Sequence, residues 1–167
     1  MIEVLLVNDK SENNMGEEIY SCVSKNKASA LISGGKVLKS SKNPQILFIE
    51  RDNFEKINSE KFVVVLGRVS GHTNIKALNS AHTVIVSADN KKGLALAKDF
   101  SNSQILVCGM SVRDTVTISS NTMENATVSI NRSVKGFHST VSECEISLPK
   151  IDDNYSLMVA GTLMMIL

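Results

Sequence analysis

Short polar segments that follow apolar runs contain the side chains of this sequence that are best placed to bind a ligand or to catalyse a reaction. The first is Asn8-Asp9-Lys10-Ser11, which follows the apolar run at residues 4–7 and precedes a helical pattern. A strand, a loop with Lys-Ser and a helix together form a setting in which backbone amides bind phosphate. Residues 7–14, however, contain no glycine to let such amides converge on an anion. From these residues alone, an ordinary βα turn is favoured over a phosphate site.

Glu50, His72 and Asp89 are polar residues that end or follow later apolar runs. Carboxylate and imidazole groups at the carboxyl ends of neighbouring parallel strands can bind a metal or transfer protons. Each also has a simpler interpretation. A lone histidine in a polar loop is usually a surface residue, and Asp89 or Asn90 can cap the helix that follows.

The three cysteines, at positions 22, 108 and 144, have no metal-binding or disulfide spacing, so a reducing cytoplasm is expected. Eighteen basic against seventeen acidic residues give no reason to expect a nucleic-acid partner. The N-terminal residues lack the pattern of a signal peptide. The longest apolar stretch, at 157–167, is shorter than the roughly 20 residues that span a bilayer. We therefore expect a cytoplasmic protein without a membrane partner.

Short β-branched runs alternate with helical patterns through the first two thirds of the chain. Most of these runs are continuously apolar, which indicates strands buried on both faces of a mostly parallel sheet. Helices are predicted from Asn14, with Glu17 as its capping partner, from Asp89 or Asn90, and more weakly at 73–80. The predicted strands lie at residues 4–7, 30–33, 46–50, 62–66, 83–87 and 105–108.

After Gly109 the apolar residues alternate with polar ones, which predicts an antiparallel extension. A final helix at 155–167, capped by Asp153 or Asn154, is apolar on most of its faces and must be buried against the domain or a partner. The fold class is thus α/β: a Rossmann-like, mostly parallel sheet flanked by helices, with a small antiparallel extension near the C-terminus. No linker is visible, so residues 1–167 are predicted to form one domain.

The order of these motifs resembles the central ATP-binding domain of the Mur ligase family, the ATP-dependent amide ligases of peptidoglycan precursor synthesis. In that family a strand leads into a loop of the form Thr-Gly-Thr-Asn-Gly-Lys-Thr. The segment Val7-Asn8-Asp9-Lys10-Ser11 is similar to its last five residues and has the asparagine, the lysine and a hydroxyl. The resemblance covers nearly all of the chain and implies that Asn8, Lys10 and Ser11 lie at a phosphate site for ATP.

The same resemblance assigns roles to polar residues at later strand ends. Glu50 is similar to a glutamate that serves the family as a magnesium ligand, and His72 to a histidine beside a second metal. The segment Ser87-Ala88-Asp89-Asn90 is similar to an Asn-Ala-Asp-Asp motif near the adenine. The resemblance therefore implies ATP and Mg²⁺ as cofactors, with Asp89 on the nucleotide and Glu50 and His72 on the metal.

Departures from the family pattern argue against ligation. Both glycines of the phosphate loop are replaced, and the histidine motif lacks its aspartate. The segment between His72 and Asp89 is too short for the family's helix with a carbamylated lysine. We also expect no counterpart of the family's two substrate-holding domains.

The sequence thus predicts a non-catalytic binding or regulatory module, with an unidentified small molecule or protein as its partner. A link to cell-envelope metabolism rests on the resemblance alone. One alternative is a nucleotide- and Mg²⁺-binding protein or enzyme with a modified phosphate loop. Another is a structural subunit that forms a homo- or hetero-oligomer through the apolar helix at 155–167.

Overall fold

A computed structural model describes residues 1–9, 14–55, 57, 59, 61–69 and 78–167. Within these residues the chain forms a ten-stranded sheet, a two-stranded sheet and three helices. The strands are β1 (Ile2–Val7), β2 (Ser29–Ser33), β3 (Lys36–Ser40), β4 (Ile46–Arg51), β5 (Phe62–Leu66), β6 (Thr83–Ser87), β7 (Gln104–Cys108), β8 (Val116–Asn121), β9 (Asn125–Ile130), β10 (Val134–Lys135), β11 (Thr140–Val141) and β12 (Cys144–Pro149). The helices are α1 (Met15–Val23), α2 (Lys91–Ala97) and α3 (Asn154–Ile166).

The large sheet has the order β12-β9-β8-β7-β6-β5-β1-β4-β2-β3. Strands β7, β6, β5, β1, β4 and β2 pair in parallel, and β8, β9 and β12 form the antiparallel extension. The predicted fold class is therefore confirmed. Strand β3 was not predicted, because all five of its residues are exposed and its two apolar residues, Val37 and Leu38, are adjacent and do not alternate with polar ones. It pairs with β2 after a turn in which Gly34 and Gly35 have positive φ angles of 60° and 76°.

The continuous apolar runs are buried on both faces of the sheet, as their composition predicts. Every residue of β5 is buried, for example. Helices α1 and α3 pack in the core on one face, and Ala97 of α2 lies in a second core on the other. The helix predicted at 73–80 lies largely outside the described residues.

Helix α3 is buried within the chain itself. Nine of its thirteen residues are buried, and it packs against α1 and against the extension strands. At Gly161 an added Cβ would lie 2.7 Å from the Cβ of Val128, so α3 approaches β9 very closely. The oligomer predicted through this helix stays a prediction, but the apolar surface that suggested it is covered here. No helix in the described part of the chain is long and apolar enough to cross a membrane.

The connections reverse direction at β1, and this reversal positions the candidate site. From β1 the chain continues through α1 to β2 and β4 on one side of β1, whereas β5 lies on the other side. In open α/β sheets such a switch point leaves a crevice at the carboxyl ends of the strands. The backbone closes around it, since the Asp9 N–H donates to the Arg68 carbonyl at 2.8 Å.

Candidate functional site

Glu50, at the carboxyl end of β4, is the centre of a buried polar network. Its side chain is only 5% exposed. Oε1 accepts hydrogen bonds from Asn8 Nδ2 at 3.0 Å and from the Gly16 N–H at 3.3 Å. Oε2 accepts a hydrogen bond from Ser33 Oγ at 2.7 Å. The carboxylate thus connects the ends of β1, β2 and β4 with the first turn of α1.

Asn8 extends this network across the switch point. It is fully buried, and while its amide nitrogen binds Glu50, its Oδ1 accepts a hydrogen bond from the Arg68 N–H at 3.1 Å. Its backbone N–H donates to the Arg51 carbonyl at 2.9 Å. Asn8 therefore links the end of β4 with the segment that follows β5, a role that its buried amide can fill without a ligand.

Two glycines leave little space around these side chains. A Cβ on Gly16 would lie 2.8 Å from Glu50 Oε2, and a Cβ on Gly67 would lie 2.7 Å from Asn8 Oδ1. Both distances are shorter than ordinary van der Waals contacts. The polar network is therefore packed directly against the backbone of α1 and of the segment after β5.

The N-terminus of α1 binds a carboxylate of the protein itself, that of Glu50. Helix N-termini favour anions because their first amides are unpaired and the helix dipole is positive there. Here the Gly16 amide, in the first turn of α1, donates to the Glu50 carboxylate. Asn14 is the N-cap residue, but its side chain makes no capping hydrogen bond, and Glu17 instead forms an ion pair with Lys39 at 3.5 Å. The predicted capping pair was therefore wrong.

The structure separates the predicted site residues. Asn8 and Glu50 are in direct contact, whereas Asp89 lies beyond β6 on the other side of the switch point. Lys10, Ser11 and His72 lie outside the described residues. Among the described residues, no group of three or more His, Cys, Asp or Glu side chains could hold a metal ion.

Asn90, not Asp89, caps α2. Its Oδ1 accepts a hydrogen bond from the Gly93 N–H at 2.9 Å, and its Nδ2 donates to the Gly67 carbonyl at 2.7 Å. Asn90 thereby joins the loops after β5 and β6. Asp89 is left exposed on the wall of the crevice.

The crevice between α1, the ends of β5 and β6, and the start of α3 has a volume of about 670 Å³. Met15, Arg68, Asp89 and Tyr155 are among its lining residues. The Tyr155 hydroxyl lies 2.9 Å from the Leu66 carbonyl oxygen and 3.1 Å from that of Ile85. Burial raises the pKa of Tyr155 well above its ordinary value, with smaller contributions from Cys108 and Asp153. Tyr155 thus acts here as a neutral hydrogen-bond donor that fixes α3 against the strand ends.

The sequence interpretation missed Ser33, Gly16 and Tyr155. A signal for Ser33 was available, because Ser33 and Glu50 both end parallel strands, and such residues meet at one edge of the sheet. Gly16 and Tyr155 had no comparable signal. Their positions depend on how closely α1 and α3 pack against that edge.

Solved structures of Mur ligases have the same fold. A UDP-N-acetylmuramoyl-L-alanyl-D-glutamate–2,6-diaminopimelate ligase matches with a TM-score of 0.55 and 14% identity over 98% of this chain and 42% of the ligase. MurF from Acinetobacter baumannii matches with a TM-score of 0.52 and 12% identity over 97% of this chain and 41% of MurF. MurF from Thermotoga maritima in complex with ADP matches with a TM-score of 0.52 and 12% identity over 98% of this chain and 44% of MurF.

The predicted resemblance is therefore confirmed at the level of the fold. The chain spans about two fifths of the length of the ligases it matches. No protein-family model and no curated protein sequence matches it.

Proposed function

We propose that this chain is a binding or regulatory module that has the Mur ligase fold and does not ligate. The main observation in support is the Glu50 carboxylate, which is buried and accepts hydrogen bonds from Asn8, Gly16 and Ser33. These neighbours are donors, whereas Mg²⁺ is held by oxygen acceptors and water. Among the described residues, the surroundings of Glu50 therefore do not fit a magnesium ion.

The start of α1 supports the same proposal, because it is poorly suited to binding the phosphate groups of a nucleotide. A phosphate loop needs glycines so that its amides can converge on the anion, and residues 7–14 contain none. The Gly16 amide, in the first turn of α1, already donates to a carboxylate. A phosphate approaching this turn would therefore meet the negative charge of Glu50 at short range.

The crevice of about 670 Å³ is the proposed binding site of the module. Its volume suits a small molecule or an inserted side chain of a partner protein. A role in cell-envelope metabolism is consistent with the fold of the Mur ligases, and that likeness is its sole support.

The rival function is nucleotide binding by a modified site, with Lys10, Ser11 and Asp89 on the nucleotide and Glu50 and His72 on a metal. Two observations favour it. Asp89 lines the crevice, and the Thermotoga maritima MurF with the same fold was solved in complex with ADP.

Isothermal titration calorimetry with ATP and MgCl₂ separates the two functions. We expect no saturable heat for the wild-type protein at millimolar nucleotide. Micromolar binding that disappears in Lys10→Ala would overturn the proposal in favour of the rival.

The variant Glu50→Gln provides a second test that separates a structural role of Glu50 from a role as a metal ligand. If Glu50 is structural, the variant loses stability and shows no change in nucleotide binding. If Glu50 is a metal ligand, the variant loses Mg²⁺-dependent binding and keeps most of its stability. The matched control is Glu124→Gln, which removes one negative charge from an exposed position between β8 and β9.

A further inference from the structure

The loop between β7 and β8, residues 109–114, presents two apolar side chains to solvent. Met110 is 68% exposed and Val112 is 93% exposed. Arg113, which follows Val112, is exposed as well. Methionine and arginine are enriched at protein–protein interfaces relative to the rest of a protein surface. The composition of this loop therefore favours contact with another protein chain.

Hydrogen bonds within the loop and from its neighbours fix its shape. Asp114 Oδ2 accepts a hydrogen bond from the Ser111 N–H at 2.9 Å, and the Asp114 N–H donates to the Ser111 carbonyl at 2.9 Å. From the segment after β9, Asn131 Nδ2 donates to the Asp114 carbonyl at 3.2 Å, and the Arg132 guanidinium donates to the Arg113 carbonyl. A loop that is held in its shape before binding loses less conformational entropy on association.

This loop lies directly beside the crevice. A Cβ on Gly109 would lie 2.8 Å from Ala88 Cβ, so the start of the loop contacts the segment after β6. Asp89, the next residue of that segment, lines the crevice, and Met15 and Val69 add apolar surface to the crevice wall. The carboxyl edge of the sheet therefore carries an exposed apolar loop and a partly apolar cavity next to each other.

The loop and the crevice also carry opposite charges. Among the described residues that line the crevice, one is a cation, Arg68, and three are carboxylates, namely Glu18, Asp89 and Asp153. Within the described part of the chain, neither Arg113 nor Asp89 forms an ion pair. Charges of opposite sign on two facing surfaces fix the orientation and the specificity of an interface.

From these features we infer that two copies of this chain associate through this edge, each inserting its β7–β8 loop into the crevice of the other. A two-fold axis that passes between the loop and the crevice places each loop opposite the partner's crevice, so the interface closes as a dimer. Met110 and Val112 pack against the apolar wall, and Arg113 lies near Asp89 of the other copy. The net charge of +1 leaves little overall repulsion between the copies. This inference rests on the proposed function, because it uses the same crevice as the binding site.

Sedimentation velocity over a range of protein concentrations tests the association. We expect the weight-average sedimentation coefficient to rise with concentration, from the value of a monomer to that of a dimer. Met110→Ser should raise the Kd of the dimer about tenfold. The matched control is Met123→Ser, which removes a methionine that is 95% exposed in the turn between β8 and β9 and should leave the Kd unchanged.

Charge reversal tests the contact between the loop and the crevice. Arg113→Glu and Asp89→Arg should each raise the Kd about tenfold or more, because each places two like charges together. Lys42→Glu, at an exposed position between β3 and β4, is the control for charge reversal. All of these side chains are exposed, so the variants should fold, and their melting temperatures check this.

A mixture of Arg113→Glu and Asp89→Arg is the most specific test. In the mixed dimer, one contact keeps the native pair of charges and the other has both charges reversed. Mixing should therefore restore the association that each variant alone has lost. Failure of the mixture to associate would overturn the inference, and so would equal effects of Met110→Ser and Met123→Ser.

A protein that stays monomeric at every concentration would also overturn the inference and leave the crevice to a small molecule or to a different protein. The proposed function fails on a separate measurement, the micromolar binding of ATP with Mg²⁺ that Lys10→Ala removes. The two failures are therefore distinguishable.

Discussion

Asn8 and Glu50, 42 positions apart in the sequence, meet at the carboxyl ends of neighbouring strands, where Asn8 Nδ2 donates to Glu50 Oε1 at 3.0 Å. Both side chains are buried, and the same carboxylate accepts from Gly16 and Ser33. A buried charge is tolerated when hydrogen bonds compensate its desolvation. The pair therefore predicts that this edge of the sheet depends on Glu50 for stability.

Glu50→Gln should lower the free energy of unfolding by about 1.5–3 kcal/mol, the range for hydrogen bonds to a charged group. The new amide nitrogen would also face the donors of Asn8, Gly16 or Ser33. Urea denaturation measures the change, and Glu124→Gln should change stability by less than about 0.5 kcal/mol. Equal small effects in both variants would show that the network is not stabilising.

Gly16→Ala should destabilise the protein by about 1–3 kcal/mol through overpacking, because the new Cβ would lie 2.8 Å from Glu50 Oε2. This loss should outweigh the gain of about 1 kcal/mol in helix propensity. Ser21→Ala, at an exposed position of α1, is the control and should be neutral or slightly stabilising. In a Glu50→Ala background the Gly16 change should be tolerated better, and strict additivity of the two changes would contradict the contact.

Asn90→Ala and Asp89→Ala test which residue caps α2. Loss of the Asn90 side chain removes the hydrogen bond to the Gly93 amide and the link to the Gly67 carbonyl. We expect a loss of about 1–2 kcal/mol for Asn90→Ala, the range for a strong N-cap. Asp89→Ala should change the unfolding free energy by less than about 0.5 kcal/mol. The prediction fails if the order of the two effects is reversed.

The stability of the protein should fall as the pH is lowered below about 6.5, the ordinary pKa of histidine. Burial and the neighbouring lysines lower the pKa of His82 in the folded state. Between the folded and unfolded pKa values, the unfolded chain binds more protons, which favours unfolding. His82→Gln should reduce the difference in the free energy of unfolding between pH 7.5 and pH 5.5, measured by urea denaturation. If this difference is the same in the variant and in the wild type, groups other than His82 cause the loss of stability at low pH.

The parallel strands were predictable because their composition leaves few alternatives. Segments such as Phe62–Leu66 are apolar at every position, and a strand of this kind must be covered on both faces. The cap of α3 was equally local: Asp153 Oδ2 accepts from the Ser156 N–H at 2.7 Å, within three positions of sequence. By contrast, β3 was missed because its two apolar residues, Val37 and Leu38, are adjacent and exposed, so they give neither a buried run nor an alternation.

The candidate site was only partly predictable from the sequence. Asn8 and Glu50 were recognised as polar residues at strand ends, but they were expected to face a nucleotide and a metal. In the structure they face each other, and Gly16 and Ser33 complete the hydrogen bonding of Glu50. Residue type indicated that these groups could do chemistry, and it did not indicate which neighbours they would meet.

The α/β class follows from the sequence alone, because the spacing of apolar residues sets which segments are strands, which are helices and which faces must be buried. The partners of Glu50 depend on the folded arrangement, since residues 8, 16, 33 and 50 meet only once β1, β2 and β4 have paired and α1 has packed on them. The same arrangement sets where the charges lie. A net charge of +1 is a sum over the chain. The lowered pKa of His82, in contrast, depends on its burial and on Lys135 and Lys61, which the fold places near its ring.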